Sequence, residues 1–285
     1  MIAVTGATGQ LGRLVINALL KKVPASEIIA AVRSPEKASD LAALGIQVRK
    51  ADYSQPTTLD SAFQGVDKLL LISSSEVGQR VAQHTAVIEA AKRAQVKLLA
   101  YTSLLHADKS SLGLGEEHRA TEALLRESGL PVVLLRNGWY TENYAASIAP
   151  ALAHGVFIGS VGEGRIASAA RQDYAEAAAV ALTQENQAGK VYELAGDDSY
   201  TLAEFSAEIA RQSGKPVVYQ HLSEEDFRQA LIGAGLPEVF ATLLADSDAG
   251  AAKGGLFDGS HTLSKLIGRP TTPYAKVIAE ALAEL

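Results

Sequence analysis

The chain has 285 residues, enough for one large domain or for a domain with an appended lobe. It carries 26 Lys and Arg against 32 Asp and Glu, a net charge of −6, which argues against a nucleic-acid binder because such a protein needs a basic face for phosphates. It has no cysteine, which excludes disulfides, thiol nucleophiles and cysteine-ligated metal centres, and no metal site is expected.

In chain order, Ile2–Thr5 reads as a core strand running into a turn at Gly6. A helix follows, with Leu11, Val15, Ala18 and Leu19 on one face. Glu27–Val32 is the second strand, and Ser34 before Pro35 reads as a helix N-cap with proline at the first helical position. Strands are predicted at Gln47–Lys50, Lys68–Ile72, Lys97–Thr102 and Val132–Leu135, with a seventh at Val191–Leu194. Val77, Val81, Ile88 and Ala91 mark one face of the helix between the fourth and fifth. Most of these strands are continuous apolar runs, as expected of strands covered on both faces.

After Asn137 the rhythm breaks into helices with shorter strands. Thr201 to Glu204 is a capping box, and Asp173 with Glu176 resembles one, so Asp173 is read as a helix cap and not as a catalyst. Val217–His221 is a short strand, with a helix from about Ser223, and the Gly-, Ala- and Asp-rich stretch Asp246–Ser260 reads as a long loop. The longest apolar runs, Pro131–Leu135 and Ala177–Leu182, fall far short of the ~18–20 residues that span a bilayer. No signal peptide is visible, so a cytoplasmic protein without stable membrane insertion is expected.

Repeated strand–helix–strand units imply right-handed crossovers and a mostly parallel sheet. The segment Val4-Thr5-Gly6-Ala7-Thr8-Gly9-Gln10-Leu11-Gly12 follows a strand and opens a helix. One glycine allows a tight turn, a second lets a pyrophosphate approach the backbone, and a third allows close helix–strand packing. The free N–H groups of the helix N-terminus receive the anion. The spacing is G-x-x-G-x-x-G, a variant of the usual dinucleotide fingerprint.

NAD enzymes place a carboxylate about 20 residues beyond that fingerprint, for the ribose hydroxyls. Here the second strand ends on Val32 and Arg33. A planar cation with several donors suits a 2′-phosphate, which points to NADPH, with NADH allowed; the alternative is a surface arginine in a salt bridge. The expected class is therefore α/β, a Rossmann-like doubly wound sheet with a smaller C-terminal α/β substrate lobe. Residues 1–150 form the NADP-binding part, a further sheet strand lies near 190–195, and 151–285 are mainly the substrate side.

Val4–Gly12, Arg33, Ser73-Ser74-Ser75, Tyr101-Thr102-Ser103 and Arg136-Asn137-Gly138-Trp139-Tyr140-Thr141-Glu142-Asn143 together resemble the NmrA-like atypical short-chain dehydrogenases. Within that group the chain is most similar to bacterial quinone-reducing members, along its whole length. The resemblance implies two-electron reduction of a small-molecule quinone by NADPH. It places the cofactor against Gly6, Ala7, Thr8, Gly9, Gln10 and Leu11, against Arg33, Ser73, Ser74 and Ser75, and against Asn137, Gly138, Trp139, Tyr140, Thr141, Glu142 and Ser168. Nothing local singles out Ser168. Ser73, Thr102 and Asn137 follow the carboxyl ends of predicted strands, where open α/β sheets bind ligands.

No tyrosine has a lysine four positions later, so the Tyr-x-x-x-Lys proton donor of conventional short-chain dehydrogenases is missing. At its expected place stand His118 and Glu122, one helical turn apart. A surface-helix pair is the preferred reading over a proton relay. The gap suits a quinone, whose reduced anion is a phenolate with a pKa of about 10 that can take its proton from water. Asn137, Tyr140 and Asn143 are the candidates for substrate orientation and oxyanion stabilisation, with Tyr144 nearby and Trp139 as a flat wall. A dinucleotide-sensing regulator is the rival reading, and an epimerase-type enzyme a second.

Overall fold

The computed structural model describes residues 1–285. Nine strands form: β1 (Ile2–Thr5), β2 (Ile28–Val32), β3 (Gln47–Lys50), β4 (Lys68–Leu71), β5 (Leu98–Leu104), β6 (Val132–Asn137), β7 (Val156–Gly159), β8 (Val191–Leu194) and β9 (Val218–His221). Seven make one sheet in the order β3-β2-β1-β4-β5-β6-β8, and β7 pairs with β9 alone. β1 pairs in parallel with both β2 and β4, Val4 lying opposite Ala30 and Leu70. Every residue of β1, β2 and β5 is buried, which explains why those strands read as unbroken apolar runs. The strand order reverses between β1 and β4, so a crevice opens beyond their carboxyl ends, where Gly6 and Ser73 lie.

Two compact units can be distinguished. The first comprises Met1–Leu104, Glu117–Arg136 and Gln172–Tyr192; the second comprises Leu105–Glu116, Asn137–Arg171 and Glu193–Leu285. In the first unit Ala3, Ile29, Leu69, Leu71, Val87, Leu99 and Tyr101 belong to one core cluster. The first helix, Gln10–Leu20, contributes Leu11, Val15, Ala18 and Leu19 to the interior on the expected face. In the second unit the Phe205 ring meets Tyr144, Phe157, Tyr200 and Tyr274 with centroids 5.2–6.1 Å away. No helix is long and apolar enough to cross a membrane.

Several local expectations are corrected. Val77 is exposed and precedes the helix Arg80–Arg93, whose buried face carries Arg80, His84, Val87, Ile88 and Ala91. Two polar side chains thus occupy that face, because they have partners described below. Pro35 starts a short 3-10 turn, Pro35–Ala38, and the Ser34 side chain makes no cap bond. Asp173 is fully buried inside the first turn of the helix Arg171–Thr183 and is not its N-cap.

The expected loop at Asp246–Ser260 is helical in its first half, because the helix Glu238–Ala252 runs through it. Its alanines favour helix. Gly250 is there for packing: a Cβ would lie 2.6 Å from Leu112 Cδ1. Thr201 and Glu204 do form the capping box of Leu202–Ser213, with both reciprocal bonds present.

Candidate functional site

In the first unit, Gly6 sits in the left-handed region at φ +57° and turns the chain out of β1. Gly9 is the N-cap of the first helix and bonds back through its N–H to the Gly6 carbonyl at 2.9 Å. No side chain caps this helix and no acidic residue sits in its first turn, so its N-terminus is open to an anion. Gly12 serves packing: a Cβ there would meet the Gly6 carbonyl oxygen at 2.3 Å and Ala7 Cα at 2.7 Å.

A cleft of about 420 Å³ is lined by Gly6, Thr8, Gly9, Arg33, Ser73, Ser74 and Ser75. Ala7 and Leu11 are buried and Gln10 is exposed; none of the three lines the cleft. Asp52, Tyr53, Ser54, Glu76 and Gln83 line it too, and sequence reasoning missed them. Asp52–Ser54 follow β3 directly, so the strand-end rule applied to Ser73 and Asn137 also covers them. No rule of spacing brings Glu76 or Gln83 here.

The donor set fits a phosphorylated dinucleotide: an uncapped helix terminus, a glycine without a Cβ and a guanidinium share one cleft. Arg33 is 71% exposed and forms an ion pair with Glu76 at 3.1 Å, so both readings of this arginine meet in one place.

The Ser73–Ser75 segment is pinned from beneath. The Ser73 N–H donates to Thr102 Oγ1 at 2.8 Å, and the Ser74 N–H donates to His84 Nε2 at 2.9 Å. His84 Nε2 therefore carries no proton, and Nδ1–H faces Thr121 Oγ1 at 2.9 Å. Burial, and then the nearby Arg80 charge, push His84 down to about 3, which keeps it neutral. Arg80 Nε donates to the Ser74 carbonyl at 2.8 Å, and its guanidinium pairs with Glu117 at 2.7 Å. The Ser74 hydroxyl donates to Gln83 and accepts from the Glu76 N–H at 3.1 Å. That hydroxyl is therefore spent on internal order.

His118 and Glu122 are not a surface pair: they are 6% and 1% exposed. Each is held by its own partners. His118 Nδ1 lies 2.7 Å from the Tyr101 hydroxyl. Burial, and then Arg80, push its imidazole down to about 3. Glu122 accepts from Ser103 Oγ at 2.6 Å and from Arg136 in a two-pronged pair at 2.9 and 2.7 Å. A helix face that buries charge needs partners from β5 and β6, and sequence periodicity does not contain them.

In the second unit, Asn137 ends β6, and its carbonyl accepts the Leu105 N–H at 2.9 Å. Its side chain bonds Tyr140, while its Oδ1 is buried with no partner. Burial raises the Tyr140 phenol above its ordinary value, and the Arg171 guanidinium lies over its ring, 4.7 Å from the centroid. Asn143 Oδ1 accepts from Arg171 at 3.4 Å. Asn137, Tyr140, Asn143 and Arg171 are thus linked; Arg171 was not foreseen.

The remaining predicted positions hold the segment in shape. The Gly138 N–H donates to the Leu194 carbonyl at 2.7 Å, and Trp139 is buried, its carbonyl accepting from Ala169 at 3.1 Å. Thr141, Ser168 and Tyr200 form a buried hydroxyl chain with steps of 2.8 and 2.6 Å, which explains a role for Ser168 that local sequence could not reveal. Glu142 accepts the Arg171 N–H at 2.8 Å. Tyr144 donates to Asp248 at 2.9 Å, well inside the unit.

Residues 1–266 match the family model described as NmrA-like. The chain is 62% identical over 279 residues to quinone oxidoreductase 2 of Escherichia coli K12, covering 98% of each chain. Among solved structures, it resembles the NADPH-dependent quinone oxidoreductase of Escherichia coli complexed with NADPH, with TM-score 0.97, 62% identity, and 99% and 100% of the two chains covered. It also resembles the triphenylmethane reductase of Citrobacter sp. complexed with NADP(H), with TM-score 0.94, 42% identity, and 99% and 100% covered.

Proposed function

The chain belongs to the NmrA-like family, and on that premise we propose that it reduces quinones by two electrons with NADPH, NADH serving as an alternative donor. The observation that carries the reading is the cleft in which an uncapped helix terminus, Gly9 and the exposed Arg33 guanidinium converge. When bound, NADPH supplies the hydride.

The chain's own residues bind and orient. Gly6, Thr8 and Gly9 leave room and N–H groups for the pyrophosphate, with Ala7, Gln10 and Leu11 contributing backbone only. Arg33 takes the 2′-phosphate, and the pinned Ser73–Ser75 segment walls the cleft. In the second unit, Asn137 bonds the Tyr140 phenol, whose O–H is the donor for a developing oxyanion. The unpartnered Asn137 Oδ1 is the acceptor a carboxamide N–H of the nicotinamide would satisfy. Asn143 and Arg171 orient Tyr140, while Gly138, Trp139, Thr141, Glu142 and Ser168 keep the segment rigid.

No side-chain acid is needed. His118 is neutral at pH 7 and bonded to Tyr101, and a hydroquinone anion of phenol-like pKa, about 10, takes its proton from water. The substrate is a small quinone, the first unit is the nucleotide-binding part and the second the substrate part. The net charge of −6 speaks against nucleic acid as a partner. The same reading places the protein in the cytoplasm, where reduced nicotinamide is at hand.

The test is NADPH oxidation followed at the nicotinamide absorbance band with benzoquinones, naphthoquinones and simple ketones. Turnover is expected for the quinones and not for the ketones, since general acid catalysis worth ~10²–10⁴-fold is missing. Binding of both NADPH and NADP without turnover of any quinone would instead mark a dinucleotide sensor.

A further inference from the structure

β2 ends without the carboxylate that NAD enzymes use on the ribose hydroxyls, yet a carboxylate reaches that place from elsewhere in the chain. Glu76 lies in the segment between β4 and the helix Arg80–Arg93, 43 positions from Arg33, and it lines the same cleft. Its Oε1 meets Arg33 at 3.1 Å, and its Oε2 accepts from Gln83 Nε2 at 2.8 Å. Gln83 in turn accepts from the Ser74 hydroxyl, and that hydroxyl holds the Glu76 backbone N–H at 3.1 Å. Glu76 is therefore half-exposed, at 49%, but aimed: two neighbours fix it with its carboxylate on the one cation of the cleft.

We propose that Glu76 sets the preference between NADPH and NADH, by competing with the 2′-phosphate for Arg33 and by accepting the 2′-hydroxyl of the unphosphorylated ribose. This rests on the dinucleotide reading of the cleft. A 2′-phosphate must displace Glu76 from Arg33 and then lie beside a like charge. An unphosphorylated ribose does neither, and it meets an ionised acceptor already in place. Asp52, which lines the cleft as well, adds to the negative charge near Arg33, but its carboxylate accepts from the Ser54 N–H and hydroxyl at 3.0 and 2.7 Å and so is turned to its own loop. Glu76 is the side chain that makes the exchange.

The experiment is calorimetric titration of the full chain with 2′,5′-ADP, NADPH and NADH, for the wild type, E76Q and R33A. E76Q keeps a neutral acceptor beside Arg33. It is expected to bind 2′,5′-ADP and NADPH roughly threefold more tightly, by freeing an exposed ion pair. It should bind NADH roughly tenfold more weakly, through loss of a charged hydrogen bond. R33A is expected to weaken 2′,5′-ADP at least roughly tenfold. Melting temperatures within a few degrees of wild type confirm folding. A wild type that binds both dinucleotides, with an NADPH-to-NADH preference unchanged in E76Q, overturns this inference and leaves the proposed function standing. A wild type that binds no dinucleotide overturns both.

Discussion

Gly9 and Gly12 belong to one motif, yet adding a side chain to each should have opposite consequences. At Gly12 a Cβ would stand 2.3 Å from the Gly6 carbonyl oxygen, 2.7 Å from Ala7 Cα and 2.9 Å from the Gly6 carbonyl carbon. All three are backbone atoms of a turn that Gly6 holds at φ +57°, so the helix must move away from the turn. Overpacking of this kind costs about 1–3 kcal/mol, more where backbone must yield. For a chain of this size that is a fall in Tm of roughly 2–12 °C. At Gly9 the only near atom is the Gly6 oxygen at 3.2 Å, and the backbone there is extended, at φ −74° and ψ 169°, which any residue adopts. Gly9→Val should therefore stay folded, with Tm within roughly 2 °C of wild type, while its side chain fills the space of the pyrophosphate and weakens NADPH at least about hundredfold, some 2.7 kcal/mol. Gly12→Ala should lose stability first and affinity only in proportion. Thermal melts and NADPH titrations on both variants give the four values needed. A stable Gly12→Ala together with normal NADPH affinity in Gly9→Val would refute the assignment of packing to one glycine and ligand approach to the other.

Further expectations concern the buried polar groups. His118→Ala should lower quinone turnover less than about tenfold, since a buried imidazole held neutral is a very weak acid; a thousandfold loss in a folded variant would make it the proton donor after all. Glu122→Ala removes the buried carboxylate that pairs with the Arg136 guanidinium and should cost about 3–5 kcal/mol of stability, read as a lowered denaturant midpoint. Asn137→Ala should instead cost about 1 kcal/mol of stability or less, because loss of the bond to Tyr140 is offset by removal of a buried Oδ1 that has no partner, and yet lower kcat/KM for quinone at least roughly tenfold; a parallel loss of both would reduce Asn137 to a structural role. Burial pushes the Asp248 carboxyl up to about 6 from an ordinary 3.8. The native state thus holds that proton more tightly than the unfolded chain. Its stabilising contribution, of order 3 kcal/mol, is complete below pH 3.8 and lost as the pH rises through about 6. Denaturant titrations between pH 4 and 7.5 should show that extra decline in the wild type and not in Asp248→Asn, and equal slopes would count against it.

Much of this protein is legible from neighbours along the chain. The apolar runs of β1 and β2, the glycine turn and Arg33 at the end of β2 are local patterns, and so is the Thr201–Glu204 box; the structure contains each of them. Burial of both sheet faces and the chemistry of a tight turn leave their mark within a few residues, which is why such features can be read directly. Other features needed the assembled fold. Whether His118 and Glu122 face water or the interior depends on Tyr101, Ser103 and Arg136, which lie on other elements. Gly250 reads as a loop former until Leu112, far away in sequence, is seen to fill the space a Cβ would need. Ser168 acquires its role from Thr141 and Tyr200, and Glu76 acquires its role from Arg33. A polar or small side chain in the interior is stable only where distant segments supply its partners or its space, and it is the tertiary fold that brings those segments together.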